Sequence, residues 1–160
     1  MSHHLGGMIE ADSFDLARFV VAQEETYHQA LRELRRGRKE SHWMWYIFPQ
    51  IDGLGSSETA RRYAIKSVDE ARAYLSHPIL GPRLLSCCEA ILAVNGKSAS
   101  AIFGFPDDMK LRSSMTLFAH VAGPQLEFTQ VIEKYFSGRP DDRTITLLTP
   151  NLESGATNAS

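Results

Sequence analysis

The chain has little sulfur chemistry to offer. Its 160 residues contain two cysteines, Cys87 and Cys88, side by side. Neighbouring residues on a helix cannot close an ordinary disulfide. No CxxC spacing exists for a thiolate zinc site or a thioredoxin-like pair. The two read as small hydrophobes at a helix interface, suited to a reducing compartment. Neither sign of charge is in large excess: 17 Lys and Arg stand against 19 Asp and Glu, for a net charge of -2. A dedicated nucleic-acid binder usually carries a strong basic surplus, so that class is disfavoured. No apolar run reaches the ~18–20 residues of a membrane span, and no charged-then-apolar leader is seen. A cytoplasmic protein with no membrane attachment is expected. No metal-ligand spacing and no cofactor fingerprint appear. The Gly53–Ser57 loop is not closed by Gly-Lys-Ser/Thr, so it is no P-loop.

What remains is an average globular composition, 43% hydrophobic and 22% charged, on a length that suits one domain. The apolar period is helical from about residue 13 to 149. Ser13 can cap a first helix, with Asp15 favourable in its first turn. Leu16, Phe19, Val20, Gln23, Tyr27 and Leu34 follow at spacings of three and four, and Gly37 stops the run. Ser57, Ser98 and the Ser67–Glu70 capping box mark further starts. Pro106 fits a first helical position. Asn95–Gly96, Gly123–Pro124 and Gly138 mark stops. No long alternating strand pattern and no fixed-period repeat is found. The expected fold is all-α, a single domain of roughly eight helices. Residues 1–12 and 150–160 are expected to be flexible. His3 and His4 fall in the first of these and are set aside as a candidate tag remnant.

Two segments carry unusual residue types. The first, residues 42–50, reads HWMWYIFPQ and holds both tryptophans of the chain. Trp43, Tyr46 and Phe48 fit a buried aromatic plug. His42 is open to two readings, a general acid–base or phosphate ligand, or a helix cap with a satisfied ring. The second segment spans residues 107–120. At ~100° per residue, Leu111, Met115, Phe118 and Ala122 share a core face. Met109, Arg112, Ser113, Thr116 and His120 share another. Solvent faces favour Glu, Lys and Gln over Ser and Thr. This second face is therefore either the wall of a pocket or a second packed face where helices approach closely. Asp107 and Asp108 read as first-turn acids rather than a catalytic dyad. The Arg32, Arg35, Arg36, Arg38, Lys39 run reads first as cations answering a helix dipole. Arg61 and Arg62 follow the glycine loop, a weak anion-binding signal.

The strings at residues 14–23, 37–55, 60–65, 69–84 and 102–119 resemble the bacterial family "domain of unknown function 1810". The likeness spans about residues 14–148, and the HWMW-IFPQ and DD-KLRSSMTLFA strings are long and specific. Some members carry the label calpastatin. That label denotes a disordered calpain inhibitor and contradicts the globular periodicity here. The resemblance implies a mainly α fold and brings no established activity or catalytic residue.

Combined, the two segments suggest a pocket of His42, Trp43, Trp45, Arg61, Arg62, Lys110, Arg112, Ser113 and Thr116. Cations and hydroxyls suit a phosphate-bearing ligand, and tryptophans suit a base. The expected ligand is a nucleotide or an ADP-ribose-like molecule, with His42 or His120 as the proton carrier if a reaction follows. The rival readings are an adaptor that contacts protein or RNA through Arg35–Lys39 and nearby aromatics, and a structural oligomer.

Overall fold

The chain folds in helices, four of which start at a short polar side chain that caps a backbone N–H. The structure is a computed structural model and describes residues 12–149. The expected flexibility of residues 1–11 and 150–160, and the tag reading of His3 and His4, lie outside the described residues. Nine helices occur among the described residues. They are α1 (Ala17–Arg35), α2 (Met44–Ile47), α3 (Glu58–Arg62), α4 (Val68–Ser76) and α5 (Leu80–Leu92). Next come α6 (Ala99–Phe103), α7 (Asp107–Val121), α8 (Glu127–Phe136) and α9 (Asp142–Leu148).

Ser57, Ser67, Ser98 and Asp141 each accept from a backbone N–H three residues on, which fixes the starts of α3, α4, α6 and α9. Gly37 sits at φ +75°, past the end of α1, where a Cβ is disfavoured. One expectation needs correcting. Ser13 does not cap α1: Leu16 holds the N-cap position without a side-chain bond, and upstream Asp12 Oδ1 accepts from Leu16 N at 2.6 Å. The chain turns sharply between them, with Asp15 at φ +55°.

α7 is the central helix. It packs against α4, α6, α8 and α9, while α5 joins α1, α4 and α8. Leu111 and Ser113 through Phe118 on α7 are all buried. This is more than the one apolar stripe of a surface helix, since four neighbours cover its circumference. Gly81 lets α5 approach α4 closely: a Cβ there would meet the Leu75 carbonyl oxygen at 2.1 Å. Cys87 and Cys88 are buried and free. Burial pushes the Cys87 thiol up to about 12 and the Cys88 thiol higher than usual as well. They are apolar core members, as expected, and poor nucleophiles.

Between α2 and α4 the backbone makes a short parallel bridge, Ile51 against Ile65. Ile65 N donates to Gln50 O and Asp52 N donates to Ile65 O, both at 2.8 Å. This clamp fixes the segment that leaves the aromatic cluster. No described helix is long and apolar enough to cross a membrane.

Candidate functional site

Glu33 on α1 organises the approach to the site. Its carboxylate is 1% exposed and accepts from Glu40 N, Ser41 N, Ser41 Oγ and Trp43 Nε1 at 2.6–3.0 Å. Burial alone would raise its pKa. The Ser41 hydroxyl, the two amides and the Trp43 indole outweigh that and hold it at about 2. The 40–43 turn is thereby tied to α1. Trp43 is 1% exposed, in edge contact with Phe103. It belongs to the plug, as one of its two readings held.

Two residues later, Trp45 is only half-buried and lines a cleft of about 550 Å³. One wall comes from Trp45, Gln50 and the 54–57 loop. The opposite wall comes from α7, through Met109, Lys110 and Ser113, with Pro106 at its start. Asp141 and Arg143, at the start of α9, complete the lining. The two segments singled out in the sequence therefore meet here. Lys110 Nζ lies 4.5 Å from the Trp45 ring centroid, a cation–π distance.

Charge around Lys110 is uneven. Its neighbour Asp107 receives Lys110 Nζ at 3.4 Å and Lys39 Nζ at 2.9 Å. The Lys39 side chain is nearly buried and also donates to Ser41 O. One carboxylate thus serves two ammonium groups. Asp141 accepts the N–H and hydroxyl of Thr144 at one oxygen, Oδ2, as the cap of α9. Across Lys39, Lys110, Arg143, Asp107 and Asp141 one positive charge is in excess.

The remaining candidates are dispersed. Ser113 is buried at the cleft and donates to Met109 O. Thr116 is also buried, but its hydroxyl donates to Arg112 O and accepts from Asp141 N, joining α7 to α9. So the hydroxyl face divides: Ser113 fits the pocket-wall reading and Thr116 the close-packing reading. Arg112 does not line the cleft; its Nε donates to Arg139 O at 2.8 Å and its guanidinium lies 5.8 Å from the Phe136 ring. Arg61 and Arg62 are exposed on α3 and are not among the cleft lining. His42 is exposed and lines no part of the cleft. His120 lines a separate, mostly apolar groove with Thr116, Ala119 and Ile132. No group of three or more His, Cys, Asp or Glu is placed to hold a metal among the described residues.

Four contributors went unread in the sequence. Lys39 looked like one more cation of the basic run, and Asp107 like a first-turn acid. Arg143 carries no local signal, and Gln50 closes the aromatic segment singled out in the sequence without being set apart within it. Their role appears only when α9 and the Ile51–Ile65 bridge bring them to the cleft. Arg36 of the basic run pairs with Glu40 at the surface.

The family model described as "Protein of unknown function (DUF1810)" matches residues 13–148. The chain belongs to this family. Among solved structures, it is similar to the conserved hypothetical protein Rv1873 from Mycobacterium tuberculosis, with 52% identity and a TM-score of 0.85. That likeness covers 86% of this chain and 98% of the other. No relative was found among the curated proteins. Family and neighbour agree with the helical fold and assign no ligand.

Proposed function

We propose that the chain binds a small phosphate-bearing ligand, a nucleotide or ADP-ribose-like molecule, in the cleft between Trp45 and Lys110. The carrying observation is Lys110: it faces the cleft while the one carboxylate beside it is already paired with buried Lys39. Such a cation favours an incoming anion. Arg143 adds a second positive group on the cleft wall. Ser57 Oγ accepts from Ala60 N, which leaves its hydroxyl hydrogen to donate outward. Trp45, Leu54, Pro106 and Met109 supply apolar surface for the rest of the ligand. The volume falls in the ~300–1,000 Å³ range of small-molecule sites. Neither His42 nor His120 takes part, so the reading is of binding, with no proton carrier assigned.

Titration with inorganic phosphate, AMP and ADP-ribose, followed by calorimetry at low and moderate salt, tests this. Lys110→Ala is expected to weaken AMP about tenfold, the loss of one charge-assisted contact. Arg112→Ala, whose guanidinium is engaged elsewhere, keeps the wild-type affinity. No binding by the wild type at millimolar ligand, or equal losses in both variants, would remove this reading.

A further inference from the structure

Gln50 stands out in the cleft because its neighbours on both sides are committed. Pro49 and Ile51 are buried. Its own carbonyl accepts from Ile65 N across the parallel bridge. In extended backbone, successive side chains point to opposite faces. With Ile51 turned into the core, the Gln50 amide turns to the cleft, which it lines. Among the described residues nothing hydrogen-bonds to that amide. Yet the side chain is half-buried and stands on backbone that cannot easily shift. An amide held at the cleft on fixed backbone, open to solvent and uncommitted to any protein group, is free to meet a ligand edge.

A carboxamide holds a donor and an acceptor side by side in one plane. Its complement is a planar edge with an acceptor next to a donor. Adenine has such an edge, in its 6-amino group and the adjacent ring nitrogen. The apolar wall of Trp45, Leu54 and Met109 gives the ring a surface to lie against. We infer that Gln50 reads the amino edge of an adenine, so that the ligand of the Lys110 cleft is an adenine nucleotide. This rests on the phosphate-ligand reading above and narrows it.

The test compares three probes on the wild type and Gln50→Leu: AMP, purine riboside 5′-monophosphate, which lacks the amino group, and ribose 5-phosphate. The wild type is expected to prefer AMP over the purine riboside nucleotide about tenfold, the scale of one good two-point contact. In Gln50→Leu that ratio falls to about one. Gln50→Met, which keeps the side-chain length and loses both the acceptor and the donor, also loses the preference and serves should the leucine variant fail to fold. An AMP preference that survives both substitutions overturns the assignment of Gln50. Equal binding of all three probes by the wild type, still weakened by Lys110→Ala, overturns the adenine inference and leaves the phosphate site standing. Binding of none of them removes both.

Discussion

Two polar clusters, one around Glu33 and one at the cleft, are finished in opposite ways. At Glu33, one buried carboxylate meets four donors and has no capacity wasted. At the cleft, the Gln50 amide has no described partner, and Lys110 shares a carboxylate with Lys39. Buried polar groups that are fully paired rigidify a fold. Those left uncommitted at a cleft stay free to exchange water for another partner. The two tryptophans report the same contrast. The Trp43 indole N–H is consumed by Glu33 at 2.9 Å, whereas Trp45 lies at the cleft under a lysine. The first cluster holds the 40–43 turn in place, and that turn delivers Trp45 to the second.

The largest test of the contrast is a pair of truncations. Trp43→Ala removes a fully buried ring and one of the three donors to Glu33 Oε1, and is expected to cost on the order of 3–5 kcal/mol. Trp45→Ala, at the cleft margin, is expected to cost about 1 kcal/mol. Urea denaturation of both variants measures this. Equal losses would mean that Trp45 is as much a part of the core as Trp43, and the division between scaffold and site would fall.

A smaller effect is expected on acidification. The Glu33 carboxyl lies at about 2 in the folded chain, against an ordinary 4.5. Its folded value is depressed, so its stabilisation is fully present above about pH 4.5 and fades as pH falls toward 2. The loss over that window is at most about 3 kcal/mol. Glu33→Gln, which cannot titrate, should be less stable at pH 7 and flatter between pH 4.5 and 2. A second acid-sensitive element tests whether the slope is specific. His77 Nδ1 accepts from Ile79 N and Leu80 N at the start of α5, and burial lowers its pKa from 6.5. Its contribution is present above 6.5 and declines as pH falls below it, so it starts to fade at a higher pH than that of Glu33. Denaturation curves at pH 7, 5.5 and 3 resolve the two. An identical acid slope in wild type and Glu33→Gln would show that the four-donor cluster is not what holds the acid limb.

The contrast also explains what could be read from the sequence. Helix ends were legible because capping is local: Ser57, Ser67, Ser98 and Asp141 each act within three residues. Ser13 reads as a cap because it is a short acceptor ahead of the apolar period, but the turn at Asp15 brings Asp12 Oδ1 to Leu16 N instead, and α1 starts without a side-chain cap. The wheel of α7 identified its core face, with Leu111, Met115 and Phe118 fully buried. It could not separate Ser113 from Thr116, since only α9 decides which hydroxyl faces a cleft and which meets a backbone N–H. Trp45 and Lys110 were legible by residue type and not by contact. Lys39 and Arg143 were not legible, and Gln50 only as the end of a segment, because each is defined by a partner or a bridge distant in sequence. Arg112 was read as a ligand group because its helix face suited one, and Arg139 O, 27 residues on, claims it instead.

The smallest effect concerns a polar group that belongs to neither cluster. Ser114 on α7 is fully buried, and its Oγ has no hydrogen-bond partner among the described residues. It lines none of the cleft. An unpaired buried hydroxyl costs desolvation and returns nothing. Alanine also has the higher helix propensity, by a few tenths of a kcal/mol. Ser114→Ala removes one oxygen and leaves the Cβ in place, so the void it opens is small. Both terms carry the same sign, and the variant is expected to be more stable by up to about 1 kcal/mol, with AMP affinity unchanged. Thermal melting and the same AMP titration measure the two quantities. A destabilisation beyond about 1 kcal/mol would mean that this hydroxyl has a hydrogen-bond partner, and the unpaired state would no longer distinguish Gln50 at the cleft from a hydroxyl in the core. Gain of stability with intact binding would confine the functional meaning of an unpaired group to the one that faces the cleft.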